Sequence, residues 1–223
     1  MSDRIRIIGH RGALGLEPEN TIRSFRRAQQ VGADEVELDI RLSADGHLVV
    51  VHDATVDRTT DGTGAVADLT LAQLRALDAG DGAQIPTYEQ VLAAVDLPIQ
   101  TEIKAIEAVP AFVALVRRHG LAERVYASSH HADIVAAVRD AAPEVPRALI
   151  LPSSPSDAVP RARAVDASWL ALGIRGLTPS LVDAVHDAGI AIDAWPVPDP
   201  ATLERARGFG VAAVTTDNPH LLA

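Results

Sequence analysis

The sequence predicts a (β/α)₈ barrel, the α/β fold also called the TIM barrel, with a small insertion after the second strand. Short β-branched or apolar runs alternate with amphipathic stretches along all 223 residues, and eight such units can be counted. Each unit has about 28 residues, near the lower size limit of this barrel. A doubly wound open sheet is the alternative, but it rarely has eight strands in so short a chain.

The strands are predicted from short runs of branched and apolar side chains. The expected barrel strands are residues 4–8, 35–42, 99–103, 124–128, 147–151, 169–172, 190–195 and 212–215. We expect them to pair in chain order, as the barrel requires.

The helices are predicted from the amphipathic stretches between these strands. The first follows a helix-start signal, Glu19-Asn20-Thr21, and ends before Gly32, where a left-handed residue is often needed. Glycines at 120, 189 and 208 are expected to end three later helices in the same way. The expected helices are residues 21–31, 87–94, 108–119, 131–142, 156–165, 179–188 and 200–207.

Residues 43–86 interrupt the alternation and are predicted to form the insertion. They contain a turn at Asp45-Gly46, a short strand at 48–51, a glycine-rich turn at 61–64 and a small helix at 71–77. The segment has apolar residues of its own, so we place it as an ordered element on the functional rim of the barrel. No other segment resembles a linker, and residues 1–223 are therefore predicted to form one domain.

Composition excludes several classes of protein. The net charge of −10 argues against nucleic-acid binding, and no apolar run reaches the roughly 20 residues of a membrane-spanning helix. The chain has no cysteine, which excludes disulfides, thiolate metal sites and a cysteine nucleophile. Its first residues lead directly into strand-like sequence without a leader, so we expect a cytoplasmic protein.

Lys104 is the only lysine among 20 basic residues, which suggests that this position needs a compact ammonium.

Polar residues stand at the carboxyl ends of several predicted strands, where a barrel places its functional groups. The period of a strand puts Glu37 and Asp39 on one face, about 7 Å apart. Glu102 and Lys104 have the same spacing on the next barrel strand. The polar residues at these strand ends are His10, Arg11, Glu37, Asp39, His52, Glu102 and Lys104.

These residue types together predict a metal-assisted reaction at a phosphate. Buried carboxylates are costly without a cation, and an oxygen-only set of Glu37, Asp39 and Glu102 suits a hard divalent ion, Mg²⁺ or Ca²⁺. Arg11 and Lys104 would complete a receptor for a phosphate group. Two histidines from separate segments add a general acid and a general base. The combination is typical of phosphodiester cleavage.

Each feature alone also has a structural explanation. A single histidine at a strand end is more often a hydrogen-bonding residue, and each paired motif alone is more often a solvated face or a salt bridge. The glycine-rich turn lacks the Gly-Lys-Ser/Thr of a phosphate loop and is predicted to be a tight turn. The joint occurrence of these features at strand ends favours a site. Taken singly, each of the other histidines is predicted to have a structural role, namely His47, His119, His130, His131, His186 and His220.

At these positions the sequence resembles the glycerophosphodiester phosphodiesterase family. The match is dense over the first half of the chain and thinner afterwards. The motifs that carry it are Gly9-His10-Arg11-Gly12, Pro18-Glu19-Asn20-Thr21, Glu37-Leu38-Asp39, Val51-His52-Asp53, Arg58-Thr59-Thr60 with Gly62 and Gly64, Ile85-Pro86-Thr87, Glu102-Ile103-Lys104, Trp195 and Thr216-Asp217-Asn218-Pro219.

The resemblance implies a (β/α)₈ enzyme that hydrolyses glycerophosphodiesters to glycerol 3-phosphate and an alcohol. Its implied cofactor is a divalent metal ion and its implied partner is the small-molecule substrate. The implied site residues are His10 and His52 as general acid and base, Arg11 and Lys104 at the phosphate, Glu37, Asp39 and Glu102 at the metal, Glu19 as a nearby support, and Trp195 as a wall of the substrate pocket.

The sequence departs from the family pattern in three places. Ser129 is followed by His130 and His131 where the family commonly has phenylalanine, Trp195 is followed by residues 196–198 with the sequence Pro-Val-Pro, and the insertion is small. These departures concern the alcohol side of the pocket. We therefore predict that His130, alone among the remaining histidines, borders the active site.

Other functions are compatible with the same barrel. A phosphodiesterase acting on lysophospholipids would need an apolar patch at the rim, which residues 53–85 do not suggest. A non-catalytic phosphate-binding barrel would be expected to lack a histidine or carboxylate, and none is missing. A barrel isomerase or aldolase would not need paired histidines. Neither the released alcohol nor the oligomeric state is predicted.

Overall fold

The computed structural model describes residues 4–223 and has the predicted barrel. The first three residues, where the sequence predicts no leader, lie outside the described residues. Eight parallel strands form a closed barrel, in which the first strand pairs with both the second and the last. A ninth, short strand pairs with the second strand in antiparallel fashion. The strands are β1 (Arg6–Gly9), β2 (Glu35–Leu42), β3 (Leu48–Val50), β4 (Ile99–Ile103), β5 (Val125–Ser129), β6 (Arg147–Leu151), β7 (Trp169–Gly173), β8 (Ala191–Trp195) and β9 (Ala213–Thr216).

The helices lie on the outside of this barrel, and their buried faces pack against the strands. Every predicted helix and strand is present, with bounds that differ by no more than two residues. The helices are α1 (Ile22–Gln30), α2 (Leu71–Arg75), α3 (Tyr88–Ala94), α4 (Val109–His119), α5 (Ala132–Ala141), α6 (Ala158–Ala164), α7 (Pro179–Asp187) and α8 (Pro200–Phe209).

Helix starts follow the local sequence signals. Thr21 caps α1 by accepting a hydrogen bond from the Ser24 amide, which satisfies one of the free amides at the helix start. Thr87 caps α3 in a capping box with Gln90.

One predicted helix end is wrong. Gly208 was expected to end the last helix, but α8 continues through Phe209 and ends at Gly210, which has the left-handed φ of 68°. Phe209 packs against the core cluster of this half of the barrel, so the helix gains apolar contact by continuing past Gly208.

None of the helices in residues 4–223 is both long and apolar enough to cross a membrane.

The insertion, residues 43–86, extends the barrel at its carboxyl face. The carboxyl half of β2 pairs with β3, with Ile40 opposite Val50 and Leu42 opposite Leu48. The segment has a small core of its own, formed by Val49, Val51, Val56, Val66, Leu74, Ala79 and Ile85. Because this core anchors the strand β3, the residues that follow it are held at the rim of the barrel.

Candidate active site

A pocket opens among the carboxyl ends of the strands and contains most of the predicted site residues. It is lined by His10, Arg11, Glu37, His52, Gln100, Glu102, His130, Ile150, Ala171, Asp193, Trp195 and Thr215. The remaining predicted residues, Asp39 and Lys104, lie next to the pocket. Lys104 Nζ is 2.7 Å from Oε1 of the lining residue Glu102 and 3.0 Å from Asp39 Oδ1. The structure therefore brings all eight predicted site residues to one place.

Three carboxylates form the base of the site. Glu37 and Asp39 lie on one face of β2, and the register of the sheet places Asp39 beside Glu102 of β4. Each residue offers one oxygen atom, and these three atoms lie within 4.8 Å of one another. All three side chains are buried. A cluster of this kind needs compensating positive charge, because isolated buried carboxylates are strongly destabilising.

Two basic side chains supply part of that charge. Lys104 contacts both Asp39 and Glu102, and Arg11 Nε lies 3.5 Å from Asp39 Oδ2. Burial opposes the ionisation of Asp39, yet Lys104 and Arg11 hold the pKa of Asp39 below its usual value. The opposite result holds at Glu37, where burial and the Asp39 charge raise the pKa to about 8.

The charge around Glu37 differs from that around Asp39. The two cations compensate Asp39 but leave Glu37 with a carboxyl group that resists ionisation. A bound cation would favour the ionised form of all three carboxylates. The donor set consists of oxygen atoms only, which are the ligands that Mg²⁺ and Ca²⁺ prefer. The residues present therefore fit a hard divalent ion.

The loop after β1 shapes one side of the pocket. Arg11 has a positive φ of 49° and Gly12 one of 87°. This turn aims the Arg11 amide at Glu37 Oε2, at 2.9 Å, while its side chain reaches Asp39. A Cβ atom at Gly12 would lie 2.4 Å from Ser24 Oγ, so glycine is needed there for close packing as well as for its φ.

Asn20, in the loop before α1, supports the same cluster. Its amide nitrogen donates a hydrogen bond of 2.8 Å to Asp39 Oδ2, and its own backbone has a positive φ of 59°. Asparagine tolerates this conformation better than most residues, and its amide has both donor and acceptor atoms. The family motif contains Asn20, but the sequence alone did not predict its contact with Asp39.

Both predicted catalytic histidines have a carboxylate partner. His10 Nδ1 lies 2.6 Å from Asp217 Oδ1, and His52 Nδ1 lies 2.6 Å from Asp53 Oδ1. Burial lowers the pKa of His10, but Asp217 and Glu37 outweigh it and raise the value above the ordinary one. Each carboxylate fixes the orientation of its imidazole ring, so that Nε2 remains for the pocket.

Asp217 was missed as a functional residue by sequence reasoning. It follows β9 directly, and its position in a strand-end motif was the available signal. His10 and Asp217 are 207 positions apart, and they meet only because β1 pairs with β9 when the barrel closes.

His130 and Trp195 form the opposite wall. His130 Nε2 lies 3.7 Å from Glu102 Oε1, and the His130 and Trp195 rings meet edge to face with centroids 6.1 Å apart. Burial and the nearby Lys104 charge lower the pKa of His130 to about 4, so this imidazole is neutral at neutral pH. The prediction that His130 borders the pocket is confirmed. The other histidines outside the proposed site, His47, His119, His131, His186 and His220, do not line it.

The chain is similar to known proteins over nearly its whole length. A sequence model of the glycerophosphoryl diester phosphodiesterase family matches residues 10–221. A glycerophosphodiester phosphodiesterase of Caldanaerobacter subterraneus subsp. tengcongensis is 35% identical over 97% of this chain and 95% of its own. A Bacillus subtilis glycerophosphodiester phosphodiesterase is 30% identical over 98% of this chain and 85% of its own.

Solved structures agree with this result. An Oleispira antarctica phosphodiesterase, solved in complex with the product sn-glycerol-3-phosphate, has a TM-score of 0.92 and 28% identity, covering 96% of this chain and 94% of its own. A glycerophosphodiester phosphodiesterase of Thermotoga maritima has a TM-score of 0.86 and 26% identity, covering 100% of this chain and 98% of its own. With its barrel, its strand-end residues and these matches, the chain belongs to the glycerophosphoryl diester phosphodiesterase family.

Proposed function

We propose that this protein is a glycerophosphodiester phosphodiesterase that hydrolyses its substrate to glycerol 3-phosphate and an alcohol with the help of a divalent metal ion. The observation that carries the proposal is the meeting of three buried carboxylates, two cations and two carboxylate-paired histidines in one pocket. Family membership and the glycerol phosphate bound by the Oleispira antarctica relative support the same substrate class.

Glu37, Asp39 and Glu102 would hold the metal ion, either Mg²⁺ or Ca²⁺. When bound, such an ion withdraws charge from a phosphate oxygen and makes the phosphorus easier to attack. The protein contributes the arrangement of its carboxylates, with Lys104 against two of them and the Arg11 amide donating to the third. These contacts hold the oxygens of the cluster close to one another.

Arg11 and Lys104 bind and orient the phosphate in this proposal. Both lie beside the carboxylate cluster, where their positive charge faces the same point. Lys104 presents three donors on a compact ammonium group, and Arg11 presents a planar fork. Together they offset the negative charge of the phosphate as it develops in the transition state.

His10 and His52 move the protons. Each has Nδ1 directed at a carboxylate, so Nε2 is the atom available to the reacting groups. One imidazole accepts the proton of the attacking hydroxyl or water, and the other donates a proton to the oxygen of the leaving alcohol. One proton is removed and one is supplied, so the pair returns to its starting protonation after the protons re-equilibrate with solvent.

A lysophospholipid as substrate is the second candidate, and the surface does not favour it. Among the described residues the exposed large apolar side chains are Leu16, Ile106 and Leu221, and residues 43–86 contribute none. Three exposed apolar side chains are too few for the large apolar patch that marks a lipid-binding surface. A cytoplasmic location stays a prediction from the sequence.

The test is an assay of the purified protein on paired substrates with the same head group. Glycerophosphoethanolamine and lysophosphatidylethanolamine are compared, and the ethanolamine released from each is measured, because cleavage of the second substrate leaves the acyl chain on the glycerol phosphate. Free glycerol 3-phosphate from the first substrate is measured as well, with a coupled dehydrogenase. We expect ethanolamine and glycerol 3-phosphate from the first substrate and little ethanolamine from the second. Activity on lysophosphatidylethanolamine alone would reverse the choice of substrate, and no activity on any phosphodiester would support a binding protein instead.

A further inference from the structure

Arg58 lies in the insertion and bridges two carboxylates from different parts of the chain. Its Nε and one terminal nitrogen lie 2.7 and 3.0 Å from the two oxygens of Asp53. Its two terminal nitrogens each donate a hydrogen bond of 2.8 Å to Glu19. The guanidinium therefore makes a paired contact on both sides, which fixes its orientation and that of both carboxylates.

Each of these carboxylates holds a residue of the proposed site on its other side. Asp53 Oδ1 lies 2.6 Å from His52 Nδ1, and Glu19 Oε1 accepts a hydrogen bond of 2.8 Å from Arg11. One arginine thus connects a proposed proton-transfer residue to a proposed phosphate-binding residue through hydrogen bonds to the carboxylates between them.

The pKa shifts of Asp53 and Glu19 are consistent with ion pairs between these two carboxylates and Arg58. Hydrogen bonding from Arg58 is the main cause that lowers the pKa of Asp53 below its usual value. Burial raises the pKa of Glu19, but Arg58 and Arg11 outweigh it and lower the value. Both carboxylates are therefore ionised at neutral pH and hold their partners as charge-assisted hydrogen bonds.

An ordinary surface salt bridge is the simplest alternative, because about half of the Arg58 side chain is exposed. Single exposed ion pairs contribute little to stability. Glu19, however, is only 10% exposed and has two guanidinium partners. Removal of Arg58 would leave this carboxylate free to turn toward Arg11 alone, and Asp53 free to release His52. The expected consequence is therefore a change in the site rather than in the stability of the fold.

We propose that Arg58 is a positioning residue that sets the orientation of His52 through Asp53 and of Arg11 through Glu19. The insertion then has a specific task, which is to lock one histidine and one phosphate-binding arginine into the same arrangement. The inference rests on the proposed function, since it takes the roles of His52 and Arg11 from there.

The first test is a double-mutant cycle in kcat, preceded by a check that the wild-type protein hydrolyses glycerophosphoethanolamine. Arg58→Gln should lower kcat by about tenfold in the wild-type background and by less than about twofold in a His52→Ala background, since linked residues give non-additive losses. Arg58→Lys should behave like Arg58→Gln, because lysine keeps the charge but lacks the paired geometry. Arg161→Gln, which removes an exposed ion pair with Asp157 on α6, is the matched control and should leave kcat unchanged.

The second test measures the binding of glycerol 3-phosphate by calorimetry, which does not need turnover. Arg58→Gln should weaken this binding about tenfold, and the effect should disappear in an Arg11→Ala background. The positioning role would be overturned if, in either cycle, Arg58→Gln caused the same loss in the wild-type background as in the His52→Ala or Arg11→Ala background. The proposed function would still stand in that case, provided that the wild-type protein is active. A wild-type protein without hydrolysis would contradict the proposed function instead, while the binding cycle would still decide the link to Arg11.

Discussion

The ammonium nitrogen of Lys104 lies 2.7 Å from a carboxylate oxygen of Glu102, the residue two positions before it in the sequence. The same nitrogen lies 3.0 Å from Asp39 on the neighbouring strand. Burial lowers the pKa of Lys104, but these two carboxylates outweigh that effect and raise it, so the side chain is charged. The only lysine of the chain therefore stands between two of the three carboxylates that form the proposed metal site.

Replacement of Lys104 by arginine should impair the enzyme despite the retained charge. A planar guanidinium group needs more space than the compact ammonium group that now lies between Asp39 and Glu102. We expect Lys104→Arg and Lys104→Met each to lower kcat/KM by at least about tenfold, or roughly 1.4 kcal/mol of transition-state stabilisation. Steady-state kinetics checks the loss. Full activity of Lys104→Arg would show that any cation suffices at this position. If Lys104→Met is largely unfolded but its folded fraction keeps the wild-type kcat, Lys104 serves only as an ion-pair partner of the carboxylates.

Loss of either proposed proton-transfer histidine should abolish most of the turnover. His10→Ala and His52→Ala should each lower kcat by roughly 10² to 10⁴, the usual contribution of a positioned acid or base. His186→Ala, on the exposed face of α7, is the control and should keep wild-type activity. The wild-type pH profile should be bell-shaped, as expected for a general acid and a general base working together. Near-normal turnover of one variant on a substrate with an alkyl leaving group would assign that histidine a structural role.

His130 should influence the choice of alcohol rather than the chemistry at phosphorus. Its ring lies against Trp195 and is neutral at neutral pH, so it offers one donor and one acceptor to the pocket. We expect His130→Phe to shift the ratio of kcat/KM values toward less polar alcohols by at least about threefold, because the hydrogen-bonding atoms are lost. His131→Phe is the control, since His131 does not line the pocket. An unchanged ratio across a panel of glycerophosphodiesters would reject this role.

Asp193 should make the fold less stable as the pH rises. This carboxyl lies on β8 and is buried, and burial raises its pKa to about 7 even though Thr215 donates a hydrogen bond of 2.9 Å. An unfolded aspartate ionises near pH 4, so the unfolded chain loses this proton first, and the stability contributed by Asp193 falls between about pH 4 and pH 7. Asp193→Asn should therefore gain stability relative to wild type over that interval, on the order of 1 kcal/mol or more at pH 8.

Denaturant unfolding between pH 4 and pH 8 measures the gain at Asp193. The exposed residue Asp187 supplies the control, and Asp187→Asn should show no such trend. A stability difference between Asp193→Asn and wild type that stays constant across this range would mean that the Asp193 carboxyl ionises normally in the folded protein.

The fold was predictable because each strand and helix is encoded locally. The run Ile99–Ile103 has the predicted bounds, and the helix-start signals at Thr21 and Thr87 are capping residues in the structure. The end of α8 was not predictable, because Gly208 and Gly210 are equally suited to a left-handed cap and the packing of Phe209 decides between them.

The site was predictable as a set of residues but not as a network. Strand periodicity placed Glu37 and Asp39 on one face, and the sheet register then brought Glu102 to them. The partners of the two histidines depend on contacts that the sequence pattern does not contain. His10 meets Asp217 only through closure of the barrel.

The central claim is that the buried carboxylates hold a divalent ion on which phosphodiester cleavage depends. Asp39→Asn removes one charge from the cluster while it keeps the shape of the side chain. We expect this variant to need at least about tenfold more Mg²⁺ or Ca²⁺ for half-maximal activity, since fewer charged oxygens bind a hard cation more weakly. Asp45→Asn, in the exposed turn of the insertion, is the control and should leave the requirement unchanged.

The most direct measurement follows glycerol 3-phosphate release from glycerophosphoethanolamine by wild-type protein stripped with a chelator, as Mg²⁺ or Ca²⁺ is added back. The stripped protein should be inactive but still folded by circular dichroism, because the barrel core does not include the ion. Activity should return along a saturable curve as the ion is restored. Full activity of the stripped protein, with no response to either ion, would contradict the account.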